Sequence, residues 1–294
     1  NLSAITLIFL GKPLKGKLYL SNYKFENLIT RSRNNLNTHH NLPNNDFYNG
    51  KNCHLPSNTV LTDEMLIFEK CIINKEGLET IYFAGNSHMD HFRETHLSIS
   101  NSLNVSIDGI TVSDCIFPPD QRQKKCGDIQ LRQKDRILKN IGKGDLVIIS
   151  NRYMIGPQNK WFDNKYSAER LNEFTKKVIS KGGKVVLFLP TPEFDVNIHE
   201  CKEVWFKPFL QKKCLIKETE LRSIRENNYQ ILNYLSKDII LYDLLPIICF
   251  RGECPMTDNI GRPLYYDTNH FTDFANREYI YKDFINFLEE KELI

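Results

Sequence analysis

Three side chains that together can activate a nucleophile stand at two distant places in the chain. Ser87 follows the small-residue turn Gly85-Asn86, and Asp267 precedes His270 by three residues. A serine becomes a nucleophile when a base takes its proton, and the base needs a third group to hold its tautomer. A three-residue offset in a turn puts Asp267 and His270 on one side. These residues predict acyl chemistry with Ser87 as nucleophile, His270 as base and Asp267 as the acid that orients it.

A further polar residue, Asn151, directly follows the stretch 145–150, whose residues 146–149 are all apolar. Its amide can donate a hydrogen bond to an oxyanion beside the backbone N–H of Ser87, so we predict an oxyanion hole made by Ser87 and Asn151. Arg152 comes next in the chain. A guanidinium there either binds an anionic acceptor or pairs with a nearby acid, and pairing is the more usual arrangement.

The histidines beside Ser87 suggest a competing hypothesis, a metal site. Such a site needs His and carboxylate ligands that converge on one helix face. The candidates are His88, Asp90, His91 and His96. His96 lies off the face shared by His88 and His91, and the chain contains no H-E-x-x-H motif. We therefore predict no metal here and interpret His88 as a structural hydrogen-bonding residue.

Each residue of the predicted triad has a simpler explanation when it is taken alone. Ser87 can be a helix N-cap after a glycine turn, and Asp267 can be a capping acid at the start of a helix. His270 can be a hydrogen-bonded structural histidine. The catalytic interpretation rests on the combination of the three residues.

The elements that must position these residues alternate between strands and helices from residue 79 onward. Short apolar runs predict strands, and apolar residues at helical spacing predict helices. The predicted strands are 80–84, 107–112, 145–150, 184–189 and 238–244. The predicted helices are 91–100, 128–141, one marked by Leu171, Phe174 and Val178, one from Leu221 to Leu235, and 272–288. This order predicts a three-layer α/β/α fold with a mostly parallel sheet.

Parallel sheets carry their sites beyond the carboxyl ends of the strands. Ser87 and Asn151 both follow the ends of predicted strands. We therefore expect them to lie at the same edge of the sheet.

The first 75 residues differ in composition from the rest. They are rich in Asn, and only the neighbourhood of residues 17–20 resembles a strand. We predict an N-terminal extension or linker over residues 1–75 and a catalytic domain over residues 76–294. The chain begins without Met, so we expect a mature form or an excised part of a longer protein. The apolar run Ala4–Leu10 is far shorter than the ~20 residues of a membrane-spanning helix.

The charge of the chain does not indicate a nucleic-acid partner. Its 294 residues carry a net charge of +3, and no basic stripe is interleaved with aromatic residues. The most basic stretch, residues 122–139, has its apolar residues on one side. We interpret this stretch as a solvated helix face rather than a binding patch.

The eight cysteines indicate an oxidising compartment. None has C-x-x-C spacing, and an even number of scattered cysteines favours disulfides. The alternative is eight buried free thiols. We expect a Cys53–Cys71 link and a Cys249–Cys254 link, although the full connectivity cannot be deduced from sequence. The disulfide candidates are Cys53, Cys71, Cys115, Cys126, Cys201, Cys214, Cys249 and Cys254.

Three short motifs resemble those of SGNH (GDSL-type) hydrolases. Residues 83–88, Phe-Ala-Gly-Asn-Ser-His, are similar to the Gly-Asp-Ser-His signature, and residues 265–272, Tyr-Tyr-Asp-Thr-Asn-His-Phe-Thr, are similar to the Asp-x-x-His block. Residues 150–153, Ser-Asn-Arg-Tyr, resemble the block that supplies the Asn. With its cysteine pairs, the stretch 50–294 resembles the extracytoplasmic SGNH domain attached to acyltransferase 3-type membrane proteins, which O-acylate bacterial surface glycans.

The resemblance implies a ping-pong reaction. Ser87 would take an acyl group as an ester, and acetyl is the expected group. A sugar hydroxyl activated by His270 would then attack this ester and carry the acyl group away. This describes an O-acyltransferase acting on a bacterial cell-surface or periplasmic polysaccharide. Water as the acceptor would make the same site a carbohydrate O-acetylesterase, and loss of activity would leave a glycan-binding module. All three functions stay open at this point.

The resemblance also implies partners and a location. A glycan is the expected acceptor, and an N-terminal integral-membrane acyltransferase domain is the expected partner in the full-length protein. The location would be periplasmic, tethered to the inner membrane. No cofactor is expected in this domain, because acetyl-CoA as the ultimate donor would be handled by the membrane part.

Two positions depart from the family pattern. Asn86 stands where the family has Asp, which changes the polar network beneath Ser87. Residues 112–115, Val-Ser-Asp-Cys, contain no glycine where the family has the glycine whose backbone N–H is the second donor to the oxyanion.

Aromatic residues can line a groove for the sugar acceptor, although for each one alone a packing role is the better interpretation. The candidates are Tyr153, Trp161, Phe162 and Trp205.

Overall fold

The computed structural model describes residues 53–57, 71–119, 126–152, 164–201, 214–228 and 230–294. Most of the predicted N-terminal extension lies outside these ranges, and so do the groove candidates Tyr153, Trp161, Phe162 and Trp205. Within the described ranges, no helix combines the length and apolar character needed to cross a membrane.

A seven-stranded sheet forms the centre of the described part of the chain. The described residues form nine strands, of which seven belong to this sheet. The nine are β1 (His54–Leu55), β2 (Ile72–Ile73), β3 (Thr80–Gly85), β4 (Ser106–Val112), β5 (Leu146–Ser150), β6 (Lys184–Phe188), β7 (Leu215–Lys217), β8 (Ile239–Tyr242) and β9 (Glu253–Pro255). The order in the sheet is β1-β4-β3-β5-β6-β8, with β2 also paired to β4. Its pairs are parallel apart from the antiparallel β2–β4 pair. Strands β7 and β9 form a separate antiparallel pair.

Successive residues of the central strands pack into two different cores. In β5, Ile148 joins one core, and Val147 and Ile149 join the other. In β3, Phe83 and Ala84 divide in the same way. Neighbouring residues of a strand point to opposite faces, so both faces of the sheet are covered, which explains why the strands are continuous apolar runs. The predicted three-layer fold with a mostly parallel sheet is confirmed.

Helices supply the outer layers. They are α1 (Ser87–Asp90), α2 (Arg93–Leu103), α3 (Gly127–Asn140), α4 (Asn164–Ile179), α5 (Glu218–Asn228), α6 (Leu245–Ile248), α7 (Asp273–Ala275) and α8 (Tyr281–Glu290). The predicted stripe of Leu171, Phe174 and Val178 lies on α4 and packs into the core shared with α3. On the opposite face, Phe284 and Leu288 of α8 pack into the larger core.

The single helix predicted from 221 to 235 is wrong in its second half. Helix α5 ends at Asn228, and a short 3₁₀ turn follows. Asn is a poor helix former. In addition, Asn172 of α4 donates to the carbonyl of Tyr234 at 2.7 Å and accepts from the N–H of Ser236 at 2.7 Å. These contacts hold the following segment in a turn.

The final helix begins as predicted but has an irregular interior. Thr272 caps it, because its Oγ1 accepts from the N–H of Ala275 at 3.1 Å. Between α7 and α8 the residues Asn276–Ile280 form a π-helical turn. Turns of this kind are rare in proteins, and those that occur are often found at functional sites.

Two strands come from the segment assigned above to the N-terminal extension. Strand β1 pairs in parallel with β4, and β2 pairs with the same strand in the antiparallel direction. A disulfide joins Cys53 to Cys71, the residues that precede the two strands. This segment therefore contributes to the sheet. The division of the chain at residue 75 stays a prediction.

Four disulfides join the eight cysteines in the order in which they occur, the first to the second, the third to the fourth, and so on. They are Cys53–Cys71, Cys115–Cys126, Cys201–Cys214 and Cys249–Cys254. The expected disulfides are confirmed, including the two pairs expected from the sequence.

Gly85 ends β3 at a very close backbone contact. It pairs with Thr111 of β4 and Ser150 of β5, and its φ angle is 153°. A Cβ atom at this position would lie 1.9 Å from the carbonyl oxygen of Ser150. Only glycine avoids this clash. The close approach sets the strand ends that lead to Asn86 and Asn151 side by side.

We expect Gly85→Ala to lower the free energy of unfolding by about 3 kcal/mol or more, because β3 and β5 must separate to admit a methyl group. Urea unfolding followed by circular dichroism measures this change. Gly142→Ala is the matched control, since its added Cβ would meet no atom closer than 3.8 Å. We expect the control to change the unfolding free energy by less than about 1 kcal/mol. Equal losses in the two variants would contradict the prediction.

Candidate functional site

Ser87 lies on a single helical turn, α1, directly after β3. The Oδ1 atom of Asn86 caps this turn by accepting from the N–H of His88 at 3.0 Å, and it also accepts from the N–H of Arg152 at 3.0 Å. At the other end, the N–H of His91 donates to the carbonyl of Ser87 at 3.1 Å. A turn this short is not stable by itself. Asn86 thus serves as the cap, since Asn and Asp side chains both accept hydrogen bonds there.

Asp267 and His270 lie on a tight loop before α7. The Oδ1 atom of Asp267 accepts from the N–H groups of Asn269 at 3.0 Å and His270 at 2.9 Å. The carbonyl of His270 accepts from the N–H of Tyr266 at 2.6 Å. This local bonding turns the carboxylate and the imidazole to the same side, as the three-residue spacing predicts.

The fold brings Ser87, His270 and Asp267 together in one hydrogen-bonded array. His270 Nε2 lies 2.9 Å from Ser87 Oγ, across 183 residues of sequence. His270 Nδ1 lies 2.8 Å from Asp267 Oδ2 and 3.1 Å from Oδ1. Both side chains are largely shielded, with exposed fractions of 14% for His270 and 29% for Asp267. Such distances permit proton transfer from a hydroxyl to an imidazole that a carboxylate orients.

The Asp267 carboxyl is held in its ionised form. Burial alone would raise its pKa, but the hydrogen bond and charge of His270 and the backbone N–H groups of Asn269 and His270 outweigh burial. The pKa of Asp267 therefore lies well below its ordinary value. A carboxylate that stays negative at neutral pH can keep a proton on the Nδ1 atom that faces it.

We expect the lowered pKa of Asp267 to contribute stability that is lost in acid. The folded-state pKa lies below the unfolded value of about 3.9, so the contribution is complete above that pH and declines as the pH falls below it. Thermal unfolding of the wild type and Asp267→Asn across this range measures the effect. The difference between their midpoints should shrink below about pH 4. A difference that stays constant or grows in acid would contradict this assignment.

Asn151 lies just after β5, and the backbone of Phe117 fixes its orientation. Its Nδ2 donates to the Phe117 carbonyl at 2.7 Å, and its Oδ1 accepts from the Phe117 N–H at 3.0 Å. The residue is buried. One N–H of the amide is therefore used by Phe117. The role of Asn151 as an oxyanion donor stays a prediction.

The segment after β4, which lacks the family's glycine, nevertheless contains a left-handed residue. Asp114 has a φ angle of 57°. This conformation favours glycine, and Asp tolerates it better than most residues do. On either side, the N–H of Ser113 donates to Leu55 at 2.8 Å and that of Cys115 donates to Val112 at 3.3 Å. A backbone conformation that favours glycine is thus present without the glycine.

Arg152 pairs with an acid, the more usual of its two interpretations. Its Nε lies 3.0 and 3.2 Å from the carboxylate oxygens of Glu193, and its Nη2 lies 2.5 Å from Oε2. Burial alone would lower the pKa of the guanidinium, but Glu193, followed by Asp267 and Asp114, raises it. The pair therefore joins the loops after β5 and β6 close to Asp267.

The histidines of the competing metal hypothesis separate into two places. The rings of His88 and His91 lie 5.3 Å apart and pack beside the ring of His270, at 5.2 and 5.6 Å. His96 instead stacks on Phe83 at 3.7 Å, and burial lowers its pKa well below the ordinary value. Within the part of the chain that the structure describes, no group of three or more His, Cys, Asp or Glu side chains is placed to hold a metal ion.

Asp90, the acid of that hypothesis, belongs to a different buried network. Arg93 donates from Nε to Asp90 Oδ1 at 3.1 Å and pairs with the same oxygen through Nη2. His54 Nδ1 lies 3.8 Å from Asp90 Oδ2 and 2.7 Å from Thr111 Oγ1. The network ties the Ser87 turn to β1 and β4. The sequence carries no signal for this role of His54, because the segment around it has a loop-like composition.

Comparisons with known proteins agree with this fold. The family model for the SGNH domain, described as fused to AT3 domains, matches residues 52–280. No curated protein matches the chain. The periplasmic domain of a lipopolysaccharide acetyltransferase from Salmonella ser. Paratyphi A is 18% identical with a TM-score of 0.56, over 78% of this chain and 88% of that one. A GDSL-like lipase from Bacteroides thetaiotaomicron is 13% identical with a TM-score of 0.39, over 72% and 89%.

The Salmonella domain shares the fold of this chain. The family match extends over well more than half of the 294 residues. It includes the Ser87 turn and the Asp267–His270 loop, which the structure brings into contact. This chain belongs to the family of SGNH domains that are fused to AT3 domains.

Proposed function

We propose that this chain is the catalytic domain of an O-acyltransferase. The transferred group is acetyl, and the acceptor is a hydroxyl of a bacterial cell-surface or periplasmic polysaccharide. The observation that supports this proposal most directly is the 2.9 Å contact between His270 Nε2 and Ser87 Oγ. On the other side of the ring, Asp267 Oδ2 lies 2.8 Å from His270 Nδ1. A serine held in this way is suited to form and break an acyl ester. Membership of a family fused to AT3 domains supports transfer as the reaction.

In the first half-reaction, Ser87 Oγ attacks the carbonyl carbon of the acyl donor while His270 Nε2 takes the hydroxyl proton. The tetrahedral intermediate then collapses, and the bond between the carbonyl carbon and the leaving group breaks. His270 donates to the leaving group the proton that it took from Ser87. Asp267 stabilises the imidazolium between these steps. The products are an acyl ester on Ser87 and a neutral leaving group.

The second half-reaction uses the same groups in reverse. His270 takes a proton from a sugar hydroxyl, and the sugar oxygen attacks the ester carbonyl. The bond from the carbonyl carbon to Ser87 Oγ breaks, and His270 returns the proton to Ser87. Water at the same position would release the free acid instead. Transfer therefore requires that the sugar be held in place and that water be limited.

We assign the oxyanion hole to the backbone N–H of Ser87 and the amide of Asn151. Ser87 is the first residue of α1, and the first N–H groups of a helix have no partner within that helix. The two contacts with Phe117 hold the Asn151 amide in one orientation. Donors fixed before the charge develops stabilise an oxyanion more than mobile ones do.

We further propose a periplasmic location and an N-terminal membrane acyltransferase domain in the full-length protein. That domain would supply the acyl group, with acetyl-CoA as the ultimate donor. The AT3 fusion of the family and the fold shared with a periplasmic acetyltransferase domain support this proposal. Four disulfides are also suited to an oxidising compartment.

Partition of the acyl group between sugar and water tests the proposed function. The protein is incubated with p-nitrophenyl acetate and a panel of methyl glycosides, and the products are identified by mass spectrometry. We expect acetylated glycosides that increase with glycoside concentration at the expense of free acetate, and none with Ser87→Ala. Acetate alone, at a rate that glycosides leave unchanged, would indicate an esterase. The absence of any Ser87-dependent product would indicate a glycan-binding module.

A further inference from the structure

A buried asparagine, Asn276, joins the two halves of the Ser87–His270–Asp267 array. Its Nδ2 donates to the carbonyl of His91 at 2.7 Å and to the carbonyl of Thr272 at 2.9 Å. Its Oδ1 accepts from a hydroxyl, that of Thr95, at 2.9 Å. Carbonyls only accept hydrogen bonds, so these partners fix which end of the amide faces each of them. The side chain is fully buried.

The two carbonyls belong to the segments that carry Ser87 and His270. The N–H of His91 donates to the Ser87 carbonyl at 3.1 Å, so His91 closes the Ser87 turn. Thr272 follows His270 by two residues and caps the final helix. The two segments are far apart in sequence. A buried side chain that bonds to both of them therefore helps to set the distance between them.

The π turn that Asn276 begins is a second, independent sign of function. The N–H of Asn276 still donates to Thr272 at 3.1 Å, as in an α-helix. The N–H of Tyr281 donates to the carbonyl of Asn276, five residues back. This irregularity lies directly after the loop that carries His270. Such turns are frequent at functional sites.

We propose that Asn276 is a positioning residue that holds Ser87 Oγ and His270 Nε2 at the distance required for proton transfer. This inference rests on the proposed function, since the distance matters for rate only if Ser87 is the nucleophile. Proton transfer needs a contact of about 2.6–3.2 Å, and a misplacement of about 1 Å can cost about 10²-fold in rate. Asn276 contacts neither reacting atom and acts through His91 and Thr272.

Two variants test this inference by the rate at which a fluorophosphonate labels Ser87. Asn276→Leu removes three side-chain hydrogen bonds at similar volume, and Thr95→Val is a milder change that removes one. We expect the labelling rate constant to fall about 10- to 100-fold in Asn276→Leu and about 3- to 10-fold in Thr95→Val, in protein that circular dichroism shows to be folded. With p-nitrophenyl acetate, the loss should appear in kcat while KM stays unchanged.

Asn172→Leu is the matched control. Asn172 also bonds a backbone carbonyl and a backbone N–H, but on α4 and the turn after α5. It should lower the unfolding temperature and leave the labelling rate within about twofold of the wild type. A merely structural role for Asn276 would give the same result as this control.

The inference is overturned if folded Asn276→Leu is labelled at Ser87 at the wild-type rate with unchanged kcat. If that variant does not fold, a wild-type rate in Thr95→Val overturns it. If the wild-type protein itself is not labelled at Ser87, the proposed function fails, and side-chain NMR of His270 decides the inference. Shifted His270 imidazole signals in Thr95→Val, but not in Asn172→Leu, support positioning, and unshifted signals in both overturn it.

Discussion

We expect His270→Ala to lower kcat/KM for p-nitrophenyl acetate by about 10³- to 10⁵-fold. The imidazole, 2.9 Å from Ser87 Oγ, is the base of the proposed reaction. Without it, the serine hydroxyl is a weak nucleophile, and the leaving group has lost its proton donor. Steady-state kinetics measure the change, with the rate of Ser87→Ala subtracted as background.

Two controls separate the loss of the base from the loss of the fold. His199 is an exposed histidine on the 3₁₀ turn Ile198–Cys201, so His199→Ala should keep kcat/KM within about twofold of the wild type. The thermal midpoint of His270→Ala shows whether that variant is folded at the assay temperature. A folded His270→Ala protein with kcat/KM within about tenfold of the wild type would refute the assignment of His270 as the base.

We expect Asp267→Asn to lower kcat by about 10³- to 10⁴-fold at neutral pH. The Oδ1 atom of an asparagine can still accept from the N–H groups of Asn269 and His270, so the loop should keep its shape. Its amide N–H, however, can donate to Nδ1 and would place the histidine proton on Nε2. That tautomer cannot accept a proton from Ser87. The loss should therefore fall on kcat rather than KM.

The matched control for this variant is Asp238→Asn. Asp238 is exposed, pairs with Ser236 Oγ at 2.8 Å and directly precedes β8, at the end of the sheet opposite the array. We expect it to keep kcat within about twofold of the wild type. A wild-type kcat in Asp267→Asn would show that the carboxylate does not orient His270.

The meeting of Ser87, Asn151 and the Asp267–His270 loop could be predicted because each has a local signal. Ser87 and Asn151 follow apolar runs, and parallel strands bring their carboxyl ends to one edge. The three-residue spacing of Asp267 and His270 indicates a shared side. The fold class followed from the same alternation of strands and helices. Short-range patterns thus sufficed for the fold class, whereas the array required the combination of three residues that each have a simpler explanation alone.

Asn276, His54 and Asp114 had no such signal. An asparagine within a helical pattern does not indicate a buried bridge, because Asn276 depends on a partner 185 residues away in sequence. His54 likewise depends on Thr111, 57 residues away. Asp114 adopts a conformation that is more typical of glycine. Propensity and periodicity describe neighbours in sequence, so roles that depend on distant partners appear only in the folded chain.

Mapping of the adduct formed by a serine-reactive fluorophosphonate tests the central claim most directly. The wild type, Ser87→Ala and His270→Ala are treated in parallel at neutral pH under non-reducing conditions, digested and analysed by mass spectrometry. We predict one phosphonyl group on Ser87 in the wild type, none in the peptide from Ser87→Ala, and strongly reduced labelling in His270→Ala. Absence of the adduct from folded wild-type protein, or equal labelling when His270 is removed, would contradict an activated serine at this site.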